Sequence, residues 1–298
     1  LRFQPDAVDL GLPDLSIEQA AAAGAKTAVI AISPPGGNLP ASWVTSLRSA
    51  MEAGLDIASG LHSRLHDIPE LAETAQVTGR NLHNVRLSEV NFDVGSGRKR
   101  SGKRMLMVGT DCAVGKKYTA LAIARALQSK GINATFRATG QTGILIAGQG
   151  VAVDAVKADF ISGAAEALSP DNTPDHWDII EGQGSLFHPS FAAVTLGLVH
   201  GSQPDLMVLC HKVDRDHISG VPDYQLPDLM TAIPLYTTVA RLTNPAARVA
   251  AISLNCSAVS AERSAEALKQ AEAITGLVAF DPLSEDFQPT LFNRMHFE

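Results

Sequence analysis

Met105-Leu-Met-Val-Gly-Thr-Asp-Cys-Ala-Val-Gly-Lys-Lys-Tyr-Thr119 decides how this chain folds. A short apolar run, of the kind a buried strand uses, leads into a loop bounded by Gly109 and Gly115. Two lysines and a helical pattern follow. In such a loop the backbone N–H groups turn inward, the helix N-terminus faces the anion, and a lysine adds a full positive charge. Gly109, Thr110, Gly115, Lys116, Lys117, Tyr118 and Thr119 are the phosphate-binding candidates. The loop departs from the usual pattern twice. Five residues separate the two glycines where four are usual, and the position after Lys116, usually a magnesium-holding Ser or Thr, is Lys117. Replacing a metal-binding hydroxyl with a second cation points to a phosphorylated carrier that is held, not a nucleotide that is cleaved.

Working outward, strands alternate with helices on both sides, which implies parallel sheets with helical crossovers. Upstream, Ser16-Ile-Glu-Gln19 is a capping box opening a short helix. Thr27–Ile32 is a buried-type strand, and Pro34–Pro40 a turn. Helices are expected over 41–53 and 69–78, with strands near 55–58 and 81–85. Downstream, strands are expected at 104–108, 132–137, 176–180, 206–210, 249–254 and 277–280. Ala120, Leu121, Ile123, Ala124 and Leu127 form one helix face, and residues 153–168 are expected to be mostly helix. Gly95-Ser-Gly-Arg-Lys-Arg-Ser-Gly-Lys-Arg104, rich in Gly, Ser and charge, is a linker, read as a solvated hinge with a phosphate-binding arm as the alternative. The organisation is therefore α/β: a Rossmann-like domain over 1–94, a basic linker over 95–104, and a P-loop-type domain with a mostly parallel sheet over 105–298.

The chain has 298 residues, 45% hydrophobic and 18% charged, enough to build ample cores. Its formal net charge of −7 argues against a general nucleic-acid binder. No apolar run approaches the roughly 18 residues that span a bilayer. The cysteines, Cys112, Cys210 and Cys256, are three and far apart. They form neither a zinc spacing nor a disulfide framework, so a reducing cytoplasm is expected and no metal ligands are assigned. A homo-oligomer without nucleic-acid or membrane partners is the expected state.

Polar clusters follow several strands, at the sheet edge where open parallel sheets bind ligands. Asp111 is out of place beside phosphate, because like charges repel; it suits a substrate amine, a base, or a partner for Lys116 or Lys117. Arg137-Ala-Thr-Gly-Gln-Thr-Gly143 is dense in hydrogen-bonding groups and reads as a binding loop, with Gln141 and Thr142 in it. His176-Trp-Asp-Ile-Ile-Glu-Gly-Gln-Gly-Ser185 puts the Glu181 carboxylate and Gln183 beside exposed backbone at a strand end. His188 after it is read as structural. Cys210-His-Lys-Val-Asp-Arg215 offers His211 and Arg215, the latter with a fork that matches carboxylates. Asn255 either reads a base edge or closes a turn. His62, Arg64 and His66 have no metal spacing and read as a polar loop facing the other domain or as a contributor to binding.

Two resemblances arise at these residues. Gly109–Lys116 and Ile180-Glu-Gly-Gln-Gly184 resemble the phosphate loop and acidic strand end of dethiobiotin synthetase, an ATP-dependent ligase. A longer match runs through most of the chain. Pro34-Pro-Gly-Gly37, Gly54–His62, the cradle with Lys116-Lys-Tyr-Thr119, Thr139-Gly-Gln-Thr-Gly143, Glu181-Gly-Gln-Gly184 and Cys210-His211 together resemble the DgcN-type D-glutamate N-acetyltransferase family. That resemblance implies a Rossmann-like domain followed by a P-loop domain, and acetyl transfer from acetyl-CoA to the amine of D-glutamate.

Joined to the residues, this makes acetyl-CoA the co-substrate, its phosphates held by Gly115, Lys116 and Lys117. Acetyl transfer cleaves no phosphate, so a lysine at position 117 does no harm. The amine must lose a proton, and Asp111, Glu181 and His211 are the candidate bases. Backbone N–H groups of 182–184 are placed to stabilise an oxyanion. Arg137, Gln141 and Arg215 are candidates for the substrate carboxylates. The alternatives are an ATP- and Mg2+-dependent ligase or kinase, in which Glu181 and Asp111 carry the metal and Asn255 reads adenine, and a non-catalytic nucleotide sensor. An acyl-thioester on Cys112 is a further option, weighed against a merely small loop residue.

Overall fold

The computed structural model describes residues 11–32, 37–87 and 90–295. The chain divides into two compact units, with the boundary between residues 87 and 88.

In the first unit, α1 (Ile17–Ala22) opens with the Ser16–Gln19 capping box, both reciprocal bonds present. The other elements are β1 (Thr27–Ile30), α2 (Val44–Glu52), β2 (Asp56–Ser59), α3 (Pro69–Thr78) and β3 (Leu82–Asn84). The three strands pair in parallel in the order β1-β2-β3. Pro69 starts α3, where its missing N–H is harmless, and Gly79 ends it in the left-handed conformation at φ 66°. Ala50, Met51, Ile57, Leu65 and Leu71 form the core. The expectation of a buried strand over 27–32 needs correcting: β1 ends at Ile30, and Val29 is 49% exposed. Among the described strands β1 is an edge that pairs only with β2, so burial is not complete on both of its faces. The turn expected at Pro34–Pro40 lies outside the described residues over 34–36. Gly37 is described, and its carbonyl accepts the His62 N–H at 2.8 Å. His66 Nδ1 lies 2.9 Å from Asn84 Nδ2, so this polar loop is fastened inside its own unit.

The second unit contains β4 (Lys103–Gly109), α4 (Lys116–Ser129), β5 (Ala134–Arg137), α5 (Gln141–Ala147), α6 (Ile161–Leu168), β6 (Trp177–Ile180), α7 (Ala192–Ser202) and β7 (Leu206–Lys212). A small antiparallel hairpin follows, β8 (His217–Ile218) with β9 (Val221–Gln225). Then come α8 (Leu229–Arg241), β10 (Arg248–Asn255), α9 (Ala261–Thr275), β11 (Val278–Phe280) and α10 (Phe287–Arg294). Six strands make one parallel sheet in the order β11-β10-β7-β4-β6-β5. The α/β class and the mostly parallel sheets expected from the alternating pattern are what forms.

Two cores cover the sheet, and the strand period of two assigns residues to them. Leu106, Val108, Met207 and Ile252 pack with Ala232, Tyr236 and Ala240 of α8. Met105, Met107, Val208 and Ala251 pack with Ile123, Ala124 and Leu127 of α4. β4 is buried on both faces, which explains its unbroken apolar run. Each Leu, Ile, Val or Met side chain so buried contributes about 1.5–3 kcal/mol.

Two local expectations change. Residues 153–160 form two short 3-10 turns separated by an extended Val156, and only 161–168 is α-helix. The Val153 N–H is taken by the Thr139 carbonyl, which ties this stretch to the loop after β5 instead of to a helix. The basic segment 95–104 is not a solvated hinge. Glu166 accepts the Ser96 and Gly97 N–H groups at 2.9 and 2.8 Å, and Arg98 pairs with Asp171 at 2.5 Å. Arg104 is fully buried and donates to the carbonyls of Arg100, Ser101 and Pro170. The Arg104 guanidinium acts as a fastener, with chain carbonyls in place of water.

Candidate functional site

Because the strands are parallel, the residues that follow β4, β5, β6 and β10 gather at one sheet edge. A cavity of about 400 Å³ opens there. Gly115, Lys116, Lys117, Tyr118, Gln141, Thr142, Glu181, Gln183 and Asn255 all line it, drawn from four separate chain segments. Cys112, Ala113, Gly140, Gly182 and Gly184 complete the wall.

The loop is shaped by backbone conformations that few residues adopt. Gly115, at φ 104°, is the N-cap of α4, and Ala113 sits at φ 51°. A left-handed non-glycine residue costs of order 1–3 kcal/mol unless its surroundings hold it. Here they do: Arg215 donates to the Cys112 carbonyl at 2.8 Å. Lys116 is 7% exposed, and its Nζ donates to the Asp111 carbonyl at 2.8 Å. Burial lowers its pKa. Lys117 is less buried, with its Nζ 5.0 Å from the Tyr118 ring, and that ring is 55% exposed at the cavity.

Glu181 directly follows β6 and is 3% exposed. Its Oε2 accepts the N–H groups of Thr139 and Gly140 at 2.9 and 3.1 Å. Burial raises its pKa, opposed by those bonds and by Lys117 and Lys116. The binding loop expected over 137–143 is partly helical: Gly140 caps α5, which places Gln141 and Thr142 in its first turn. A Cβ on Gly140 would displace the Gln183 side chain, and one on Gly143 the Glu181 carboxylate. At the end of β10, Asn255 Oδ1 accepts the Ser257 N–H at 3.1 Å.

Several expected site residues lie elsewhere. Asp111 is fully buried; it accepts the Cys112 N–H at 2.6 Å, Arg215 at 2.8 Å and the Ser219 N–H at 2.8 Å. With three donors, one of them its ion-pair partner Arg215, this carboxylate braces the loop. The partner of its side chain is Arg215, not either lysine, and Arg215 braces the loop. Arg137 is likewise paired, its Nε 2.7 Å from Asp178. Thr119 points into the core, 2.8 Å from Ser253 Oγ, and Thr110 is buried with its Oγ1 3.0 Å from His211 Nδ1. Gly109 is crowded by Val114 and Lys116 beneath the loop.

His211 lines a second cavity of about 670 Å³, bounded by α8, α9 and the hairpin, and burial lowers its pKa. Donor atoms of Asp111, Cys112 and His188 lie within 4.8 Å of one another. The Asp111 oxygens are hydrogen-bonded, and so are both His188 ring nitrogens, to Ser190 and Ser219. The trio reads as bracing, and His188 has the structural place expected of it. The Cys112 thiol is pushed up by burial, which disfavours the thiolate an acyl intermediate needs.

A glycine loop between a buried parallel strand and a helix, with a lysine at that helix and an acid after the neighbouring strand, defines a P-loop domain. Here it follows a Rossmann-like unit. The chain belongs to the DUF1611 family, described as a domain of unknown function: residues 4–88 match its Rossmann-like domain and residues 93–291 its P-loop domain. It is 50% identical over 274 residues to a D-glutamate N-acetyltransferase of Tritonibacter scottomollicae, covering 92% of this chain and 82% of that one. It is 48% identical over 286 residues to a D-glutamate N-acetyltransferase of a Pseudoalteromonas species, covering 96% and 86%. The crystal structure of a DUF1611 family protein from Anabaena variabilis superposes with a TM-score of 0.85 at 36% identity, over 93% of this chain and 83% of that one. By this kinship the chain is an acyltransferase. No described helix is long and apolar enough to cross a membrane.

Proposed function

We propose that this acyltransferase moves an acetyl group from acetyl-CoA to the amine of D-glutamate, with the carrier phosphates held on the loop between Gly109 and Lys117. One observation carries the reading: a single cavity is lined both by Lys116 and Lys117 at the N-terminus of α4 and by the buried carboxylate of Glu181. The first set suits the anionic part of the carrier. The second suits a base that must work near neutral pH, because burial raises its proton affinity.

In this scheme the substrate ammonium first gives one proton to solvent, and Glu181 takes a second from the amine nitrogen as its lone pair attacks the thioester carbonyl carbon. The C–N bond forms, the oxyanion is met by backbone N–H groups near Gly182–Gly184, and the C–S bond breaks. The proton held by Glu181 passes to the departing thiolate, which leaves as the free CoA thiol. Gln141, Thr142 and Gln183 are the polar side chains in the cavity that would receive the glutamate carboxylates. Three cysteines without disulfides suit a reducing cytoplasm.

The test is CoA release from acetyl-CoA with D- or L-glutamate, together with acetyl-CoA affinity in Lys116→Ala and Lys117→Ala. Release with D-glutamate is expected. Each variant is expected to bind acetyl-CoA about 10- to 100-fold more weakly, the loss of a charged hydrogen bond worth about 1.5–3 kcal/mol. Unchanged affinity in both variants would remove the loop from the scheme. ADP release from ATP with an amine or carboxylate substrate would replace the scheme with the ligase alternative.

A further inference from the structure

Tyr236 lies on α8, outside every motif of the phosphate loop and its neighbours, and is fully buried. Its hydroxyl donates to the Gly109 carbonyl at 2.7 Å and accepts the Leu186 N–H at 3.1 Å. Ser185 Oγ, also fully buried, donates to the same Gly109 carbonyl at 2.9 Å. Gly109 is the last residue of β4 and the first of the phosphate loop. Ser185 and Leu186 close the turn that begins with Glu181.

A buried tyrosine always finds some partner for its hydroxyl. What distinguishes this one is the pair it joins. Both partners are backbone groups, one on the cation-bearing loop and one on the acid-bearing turn. The ring is held by its own packing, edge to face with Phe187 at 6.2 Å and 68°. Burial pushes the phenol up to about 12, so it stays a neutral donor wherever the enzyme works and is no acid or base itself.

We infer that Tyr236, with Ser185, is a positioning residue that latches the phosphate loop to the Glu181 turn and so sets the distance between the bound carrier and the base. This rests on the reaction proposed above. Acyl transfer is sensitive to that distance, since a 1 Å misplacement costs on the order of 10²-fold in rate. Phosphate binding is less so, because the lysines and loop N–H groups lie on one short segment and move together.

The experiment is Tyr236→Phe, which keeps the ring and removes both hydrogen bonds. Turnover per folded molecule should fall at least about tenfold, while acetyl-CoA affinity changes by less than about threefold. Ser185→Ala should act in the same direction more weakly, and the double variant should lose less than the product of the two, as residues of one network do. A second readout does not depend on the reaction. Cys112 is half-buried in the loop while Cys210 and Cys256 are buried, so its alkylation rate reports how firmly the loop is held. That rate should rise in Tyr236→Phe; if this variant does not fold, Ser185→Ala supplies the same comparison. Wild-type turnover and a wild-type labelling rate would overturn the latch. If the wild-type enzyme releases no CoA, the proposed reaction fails, and the labelling rate alone then decides the latch.

Discussion

Arg215 and Asp111 form an ion pair across 104 residues of sequence, Nη1 to Oδ2 at 2.8 Å, and Asp111 is fully buried in it. The same guanidinium donates to the Cys112 carbonyl, and Ser219 N–H donates to the same carboxylate oxygen. The phosphate loop is thus held from outside by the segment that follows β7. This accounts for an acidic residue inside a P-loop: its charge is spent on an arginine.

Arg215→Ala should therefore strand a buried carboxylate. The expected loss is on the order of 3–5 kcal/mol, at the lower end because Arg215 is partly exposed. Asp111→Asn should cost less, since an amide oxygen still accepts the N–H groups. Denaturant titration measures both. Equal stability of Arg215→Ala and wild type would show that the pair does not hold the loop.

Glu181 makes a prediction about pH. Its pKa is raised by burial, so the folded state holds its proton more tightly than the unfolded chain does. That contribution is complete below the unfolded value, near 4.5, and is lost as pH rises through the folded value. Glu181→Gln should gain stability relative to wild type as pH rises through that window. If Glu181 is the base, the same variant should lose about 10²–10⁴-fold in turnover. Wild-type turnover should fall on the acid side at a pH above the usual carboxylate range. A pH profile of kcat/KM and parallel melting curves test both halves, and a variant that melts with the wild-type pH dependence would contradict the first.

Gly143 and Gly182 separate activity from folding. A Cβ on Gly143 would fall on the Glu181 carboxylate, the far end of a flexible side chain. A Cβ on Gly182 would fall on the Met107 carbonyl, which is backbone of β4. Gly143→Ala should keep most of its stability and lose turnover, whereas Gly182→Ala should fold poorly. Yield, melting temperature and CoA release distinguish the two patterns, and an active, stable Gly182→Ala would refute the packing argument.

Excess chelator should leave acetyl transfer intact. The loop position that would offer a metal-binding hydroxyl carries Lys117, and the hydroxyl of Thr119 is engaged with Ser253 in the core. Complete loss of CoA release on chelation, restored by magnesium, would favour the ligase-like alternative.

The sequence alone determined the local elements and their kind. The apolar run of β4, the bounding glycines, the two lysines and the acid at the end of β6 are all legible because each depends on neighbours a few residues away. Backbone conformation, helix start and strand burial are set at that range. Membership of the cavity was also largely readable for Gly115, Lys116, Lys117, Glu181 and Asn255, because parallel strands deliver their following residues to one edge. What the tertiary structure decided is which polar groups are already taken. Asp111 meets Arg215, Arg137 meets Asp178, Thr119 meets Ser253, and Tyr236 reaches Gly109 from 127 residues away. These pairings follow from the strand order, in which β4 lies between β6 and β7, and from the side of the sheet each helix covers. A charged or hydroxylated side chain satisfies its hydrogen bonds with whatever the fold brings within 3 Å, and no local pattern specifies that neighbour.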